Sequence, residues 1–396
     1  MKKFWEGSQG VAEAVKLCNP EVISAYPITP QTHIVERLSQ MVADGDLKSE
    51  FINVESEFSA ASVILGASAA GSRAYSATTS QGLLLMAEVL FNLAGMRLPV
   101  VITCANRSVS APINIWNDQQ DAMTVRDSGI IQFFAEDNQE VYDLHLQAYK
   151  MAEDPDVSLP VIVNMDGFIL THAYEPIETI TQKEADEFLP PYSPDRKLDP
   201  AQPGTFGVVA DPNWYMETRY AMQKSQEAAK RVIKKITREF KQKFGRFQGD
   251  LIETYRIEGA ETVVVAMGSL VGTLKDLIDE ERDNGKKIGV LKVRCFRPFP
   301  EEEIREALKD VENILVFEKA FCLGLGGILY HEIRSALYMS SSRPNLKCFV
   351  VGLGGRDIPK TSLKKTLDSF GPNLPDLNFV DLKEEQIKEH LYVPVS

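Results

Sequence analysis

Four short segments of the 396-residue chain carry side chains able to do acid–base or ionic work. The first is Tyr26-Pro27-Ile28-Thr29-Pro30-Gln31-Thr32. Its two prolines fix the backbone of a strand-to-helix turn, leaving Thr29 at the carboxyl end of a strand, where ligands bind in α/β folds. The Thr29 hydroxyl can donate to a carboxylate, or Thr29 or Thr32 can simply cap the next helix. The second segment, Asn53-Val54-Glu55-Ser56-Glu57-Phe58-Ser59-Ala60-Ala61, places two carboxylates before a run of small residues. Glu55 and Glu57 either favour the positive end of a helix or, facing a buried heterocycle, exchange a proton with it. The third, Ala77-Thr78-Thr79-Ser80-Gln81-Gly82, reads as a cap or a ligand-facing turn. In the fourth, Asn106-Arg107-Ser108, a guanidinium at a strand end can clamp an anion with two parallel hydrogen bonds or pair with a nearby acid.

The elements that must position these residues alternate in α/β rhythm. Short apolar runs (Val22 to Tyr26, Phe51 to Val54, Ala74 to Ala77, Leu98 to Ala105, Leu159 to Met165) alternate with helical segments at Gly10 to Cys18, Ile34 to Met41, Phe58 to Ala70 and Gly82 to Ala94. Nearly continuous apolar strands of this kind belong to a parallel sheet covered on both faces. A Pro-, Asp- and Glu-rich connection from Ile177 to Gly207 leads to an amphipathic helix, Met216 to Phe247, with a basic face from Lys230 to Lys243. A second α/β unit then runs from residue 258 to the end. The expected division is therefore 1–257 and 258–396.

Composition removes whole classes of function. A net charge of −13 argues against nucleic acid and anionic membranes, which demand excess Lys and Arg. No run is long and apolar enough to span a bilayer, and the first residues lack a signal-peptide apolar segment, so a cytoplasmic protein is expected. Five scattered cysteines without a C-x-x-C pair, and five histidines without clustering, give no metal or iron–sulfur site. There is no G-x-G-x-x-G after a strand, no Walker A loop and no G-x-S-x-G elbow. The stretches Gly324-Leu325-Gly326-Gly327 and Gly352-Leu353-Gly354-Gly355 read as tight turns rather than phosphate cradles.

Together the YPITPQT, ESEFSAA, TTSQGLLLM and NRSVSAPINIWNDQQD segments, with RPFP at Arg297 to Pro300 and GLGGRD at Gly352 to Asp357, closely resemble the α subunit of pyruvate:ferredoxin oxidoreductase over nearly the whole chain. The resemblance implies an α/β fold: a thiamine diphosphate pyrimidine-binding domain followed by a transketolase C-terminal-like domain. It also implies an enzyme of several chains converting pyruvate and coenzyme A to acetyl-CoA and CO2 with reduction of ferredoxin, or running the reverse as a pyruvate synthase.

In this resemblance Glu57 corresponds to the glutamate on the aminopyrimidine ring, with Pro27 and Ile28 also beside the cofactor. Protonating the ring nitrogen favours the imino tautomer, whose exocyclic nitrogen takes the thiazolium proton. Glu55 is the near alternative. Thr29 and Arg107 correspond to the pair that holds pyruvate. A threonine rather than the arginine of oxalate-specific relatives leaves room for a methyl group and one carboxylate. The chain departs from some single-chain pyruvate enzymes at Phe58-Ser59, where those resemble Ala-Gly. This sequence has no G-D-G motif followed by Asn, so thiamine diphosphate is expected to be shared with a β subunit that holds its diphosphate and Mg2+. The [4Fe-4S] clusters are then expected on partner chains, including γ and ferredoxin-like δ subunits or fusions of these. For coenzyme A, the basic helix and the GLGG loops are candidate contacts, each with a structural reading beside it. Another 2-oxoacid, 2-oxoisovalerate or 2-oxoglutarate, and a non-catalytic scaffold are the competing functions.

Overall fold

The structure is a computed structural model describing residues 1–340 and 342–390. Seven strands form the first sheet in the order Cys295–Arg297, Ile131–Phe134, Val161–Asp166, Val101–Asn106, Ala74–Thr78, Val22–Ala25, Glu50–Asn53. All neighbours are parallel except Cys295–Arg297, which runs antiparallel to Ile131–Phe134. The strands Ala74–Thr78, Val101–Asn106, Ile131–Phe134 and Val161–Asp166 are buried along their whole length. Helices cover both faces, which is why all of these but Ile131–Phe134, a strand that sequence reading did not anticipate, read as apolar runs. A parallel arrangement brings the carboxyl ends of neighbouring strands to one edge, and all four chemically equipped segments follow those ends.

The second sheet has the order Leu377–Phe379, Asn345–Val350, Asn313–Glu318, Thr262–Ala266, Ile288–Val293, Ile252–Tyr255. Its last strand is antiparallel to Ile288–Val293. Ile252–Tyr255, on the N-terminal side of the expected division at 257, thus belongs to the second sheet, while Cys295–Arg297 from the far side completes the first. The domains are laced together rather than joined at a point.

Buried ions reinforce this lacing. Lys292 and Arg294, from the second unit, reach Glu140 on the helix Asn138–Ala152 at 2.7 and 2.6 Å. Glu140 is fully buried, but the two cations outweigh the burial cost and hold its carboxyl below the usual range.

The amphipathic helix spans Tyr215–Phe244 and buries Ala229, Val232, Ile233, Ile236 and Phe240 on one side. Part of its basic face is paired within the chain: Lys234 with Glu303 of the second unit, Lys243 with Glu187 at 2.6 Å. The opening residues form the strand Lys2–Glu6, antiparallel to Tyr174–Glu178, which sequence reading did not anticipate. No helix among the described residues is long and apolar enough to cross a membrane.

Candidate active site

Glu57 is the first residue of the helix Glu57–Ala69, whose N-cap Ser56 accepts a hydrogen bond from the Ser59 backbone at 3.3 Å. This cap fixes which of the two carboxylates turns inward. Glu57 is 7% exposed, whereas Glu55 is exposed and accepts from the Ser59 hydroxyl, which keeps its carboxyl below the usual range. Ala60, Ala61 and Ile64 pack this helix against the helix Ser80–Gly95. Gly82 on that neighbour lies directly over Glu57. A methyl group there would stand 2.7 Å from Glu57 Oε1 and 2.6 Å from Thr78 Oγ1. The Glu57 carboxylate makes no hydrogen bond to any described residue, and the buried Thr78 hydroxyl beside it also lacks a partner. An unpaired polar group at a buried position calls for a partner, be it water, an ion or a ligand.

The YPITP turn sits on the neighbouring strand end. Gln31, fully buried, donates to the carbonyls of Ala77 (2.6 Å) and Tyr26 (3.3 Å) and accepts from Ile28 N (3.4 Å). It pins the turn to the strand that carries Thr78. The following helix, Thr32–Ala43, has no side-chain cap, so neither Thr29 nor Thr32 performs that role. Thr29 is exposed, as is Pro27, with Ile28 half-buried between them.

Arg107 follows the strand Val101–Asn106 and is 7% exposed. Its Nη1 donates to the Thr29 carbonyl at 2.8 Å and its Nε to the Asn114 carbonyl at 3.0 Å. Arg107 and Thr29 are thus brought together, and no acid among the described residues pairs with the guanidinium. Buried Asp121 takes the Arg107 backbone N–H instead (2.9 Å), together with those of Ser80 (2.9 Å) and Ala122 (2.7 Å) and the Asn106 side-chain amide (3.0 Å). Burial outweighs these bonds and raises its pKa. In the third segment Thr79 donates to the carbonyl of Ala105, just before the fourth segment, and Ser80 to that of Ser108 within it.

The carboxyl edge of the second sheet faces this assembly. Lys319 Nζ reaches Asp166 Oδ2 at 2.7 Å and Asn117 Oδ1 at 3.0 Å, and Asp166 also accepts from Ser269 N and Gln119 Nε2. Burial alone would raise the Asp166 pKa, yet Lys319 and these hydrogen bonds bring it below the ordinary value. Sequence reading assigned no role to Gln31, Gly82, Asn114, Asp121, Asp166 or Lys319. The first four lie inside the quoted motifs, whereas Asp166 and Lys319 are 153 residues apart and carry no local signal.

Two family models match: "Pyruvate flavodoxin/ferredoxin oxidoreductase, thiamine diP-bdg" over residues 13–238 and "Pyruvate:ferredoxin oxidoreductase core domain II" over residues 260–363. The chain is 52% identical to pyruvate synthase subunit PorA of Methanosarcina barkeri over 96% of both chains. The chain belongs to the pyruvate:ferredoxin oxidoreductase family. Within that family it is also 45% identical to ketoisovalerate oxidoreductase subunit VorA of Pyrococcus horikoshii, over 92% of each chain. Its fold is similar to that of 2-oxoglutarate:ferredoxin oxidoreductase from Magnetococcus marinus, solved with 2-oxoglutarate, coenzyme A and succinyl-CoA bound. The TM-score is 0.75 at 19% identity, covering 93% of this chain and 65% of that one.

Proposed function

We propose that this chain is the α subunit of a multi-subunit pyruvate:ferredoxin oxidoreductase. The enzyme joins pyruvate and coenzyme A to give acetyl-CoA and CO2 while reducing ferredoxin, or runs the reaction in reverse as a pyruvate synthase. The carrying observation is the Glu57 carboxylate, buried beneath Gly82, beside the unpaired Thr78 hydroxyl, with no hydrogen-bond partner among the described residues. The edge of a flat nitrogen heterocycle suits such a place, because a carboxylate and a hydroxyl can both bond it. Thiamine diphosphate, when bound, supplies the nucleophilic carbon for attack on the 2-oxo group.

The work of this chain is narrower. Glu57 would hydrogen-bond the ring nitrogen of the bound cofactor, with Pro27 and Ile28 contributing to the wall on the same side. Thr29 offers its hydroxyl to the substrate. Arg107, oriented by two backbone carbonyls, still has its Nη2 hydrogens and one Nη1 hydrogen free for the 2-oxoacid carboxylate. Spending part of the guanidinium on backbone limits the grip on a carboxylate that must leave as CO2, so the ground state is not over-stabilised.

The diphosphate and Mg2+ belong to a β subunit. The [4Fe-4S] clusters belong to other partner chains, the γ and ferredoxin-like δ subunits or fusions of these. Exposed Ile52, Phe58, Ile113 and Trp116, adjoining Glu57 and Arg107 in the chain, suit the β-subunit contact. The complex acts in the cytoplasm. The 45% identity to a ketoisovalerate oxidoreductase subunit supports 2-oxoisovalerate as the second reading for the substrate. A panel of 2-oxoacids with the purified complex separates the two.

The direct test is Glu57→Gln in the assembled enzyme. Turnover falls by about a hundredfold or more, the size of an acid–base contribution. Near wild-type turnover in an assembled, cofactor-loaded variant removes Glu57 from the role.

A further inference from the structure

The second domain contributes no residue to the roles above, yet it holds the loop on which Arg107 depends. We propose that its Gly354–Gly355 turn, acting through Asn114, sets the position of the Arg107 guanidinium. Asn114 and Gly354 are then positioning residues for the 2-oxoacid carboxylate. The inference rests on the reading of Arg107 as the carboxylate clamp.

The connection runs atom by atom. Arg107 Nε donates to the Asn114 carbonyl at 3.0 Å, so the orientation of that peptide, with the Thr29 carbonyl, fixes the guanidinium plane. The Asn114 side chain is fully engaged. Its Oδ1 accepts from Ser108 Oγ and Trp116 N, both at 2.8 Å, and its Nδ2 donates to the Gly354 carbonyl at 3.0 Å. An amide satisfied at both ends has one orientation.

The second domain approaches closely enough to enforce it. Gly354 has φ +61°, and a Cβ there would sit 2.7 Å from Asn114 Nδ2. At Gly355, with φ +81°, a Cβ would sit 2.3 Å from Trp116 Cβ, while its N–H donates to the Asn117 carbonyl at 2.6 Å. Only glycine meets both the left-handed backbone and the clearance. Lys319 fastens the far end of the same loop through Asn117, and its carbonyl accepts from Gln119 N at 2.9 Å. The GLGG turn is thereby a cradle for the substrate loop.

The test uses the assembled multi-subunit enzyme carrying Asn114→Ala or Gly354→Ala, which reach the same contact from opposite domains, with Arg107→Ala beside them. Loss of the Asn114–Gly354 bond, common to both variants, should raise the KM for pyruvate at least about fivefold. The turnover number and thiamine diphosphate content should stay near those of the parent, because the lost interaction serves ground and transition states alike. Adding Asn114→Ala to Arg107→Ala should raise KM no further. An unchanged KM in Asn114→Ala and Gly354→Ala, or a loss of turnover alone, overturns the inference if Arg107→Ala does raise KM. If Arg107→Ala itself leaves KM unchanged, the carboxylate-clamp reading is what fails. Should Gly354→Ala not assemble, Asn114→Ala, which leaves the second domain intact, decides.

Discussion

Replacing Gly82 with alanine tests the Glu57 cradle by adding a single methyl group. The new Cβ would lie 2.7 Å from Glu57 Oε1, 2.8 Å from Glu57 Cγ and 2.6 Å from Thr78 Oγ1, all inside ordinary van der Waals separation. Something must yield, and the freest group is the Glu57 carboxylate, which no hydrogen bond restrains. Two terms set the stability change. Overpacking costs about 1–3 kcal/mol. Alanine in place of glycine inside the helix Ser80–Gly95 returns up to about 1 kcal/mol. The net destabilisation is then about 0–3 kcal/mol, a melting shift of several degrees at most.

The effect on activity should be out of proportion. Displacing an acid–base group by about an ångström costs about a hundredfold in rate. Pyruvate- and coenzyme A-dependent ferredoxin reduction by the assembled enzyme, with thermal unfolding of the same preparation, reads both quantities. Since Gly82→Ala acts through Glu57, the double variant with Glu57→Gln should be no slower than Glu57→Gln alone. Turnover close to wild type in Gly82→Ala, or fully additive losses in the double variant, refutes the argument.

Other outcomes follow from the same geometry. Glu55→Gln should leave turnover unchanged in the ferredoxin-reduction assay, because Glu55 points to solvent and bonds only Ser59. Lys319→Met strands the buried Asp166 charge and should cost about 3–5 kcal/mol, read from the denaturant midpoint; the hydrogen bonds from Ser269 and Gln119 favour the lower end. Asp118 is lifted by burial to about 7, with hydrogen bonds from Gln120 N and Gly354 N pulling it back. Between its unfolded value near 4 and that folded value the native state binds the extra proton, so Asp118 costs increasing stability as pH rises. Asp118→Asn should therefore match wild type at pH 4 and gain on it up to pH 7, by at most about 4 kcal/mol in thermal or denaturant unfolding.

The strands that position the site were legible because burial on both faces makes them unbroken apolar runs, as at Val101–Asn106 and Val161–Asp166. The helix Asn138–Ala152 was not, because it is buried almost all round and presents no amphipathic period. Lys2–Glu6 was missed for the opposite reason: a mostly exposed edge pair whose partner lies more than 160 residues away. At the site, residue type and strand-end placement marked Thr29, Arg107 and the pair Glu55 and Glu57 as candidates, and the family resemblance picked out Glu57. Which of Glu55 and Glu57 turns inward was decided by the Ser56 cap, a matter of three-dimensional geometry. The contacts between Asn114 and Gly354, and between Asp166 and Lys319, join distant parts of the chain, and a local pattern carries no trace of them.

The antiparallel strand Cys295–Arg297 has a practical bearing on attempts to dissect the polypeptide. A fragment stopped near residue 250 would bare the flank of Ile131–Phe134, offering unpaired backbone groups to any extended neighbour, and would leave buried Glu140 without its two cations. Such a piece should precipitate or pair with itself. The N-terminal half is therefore not an autonomous module that can be produced alone.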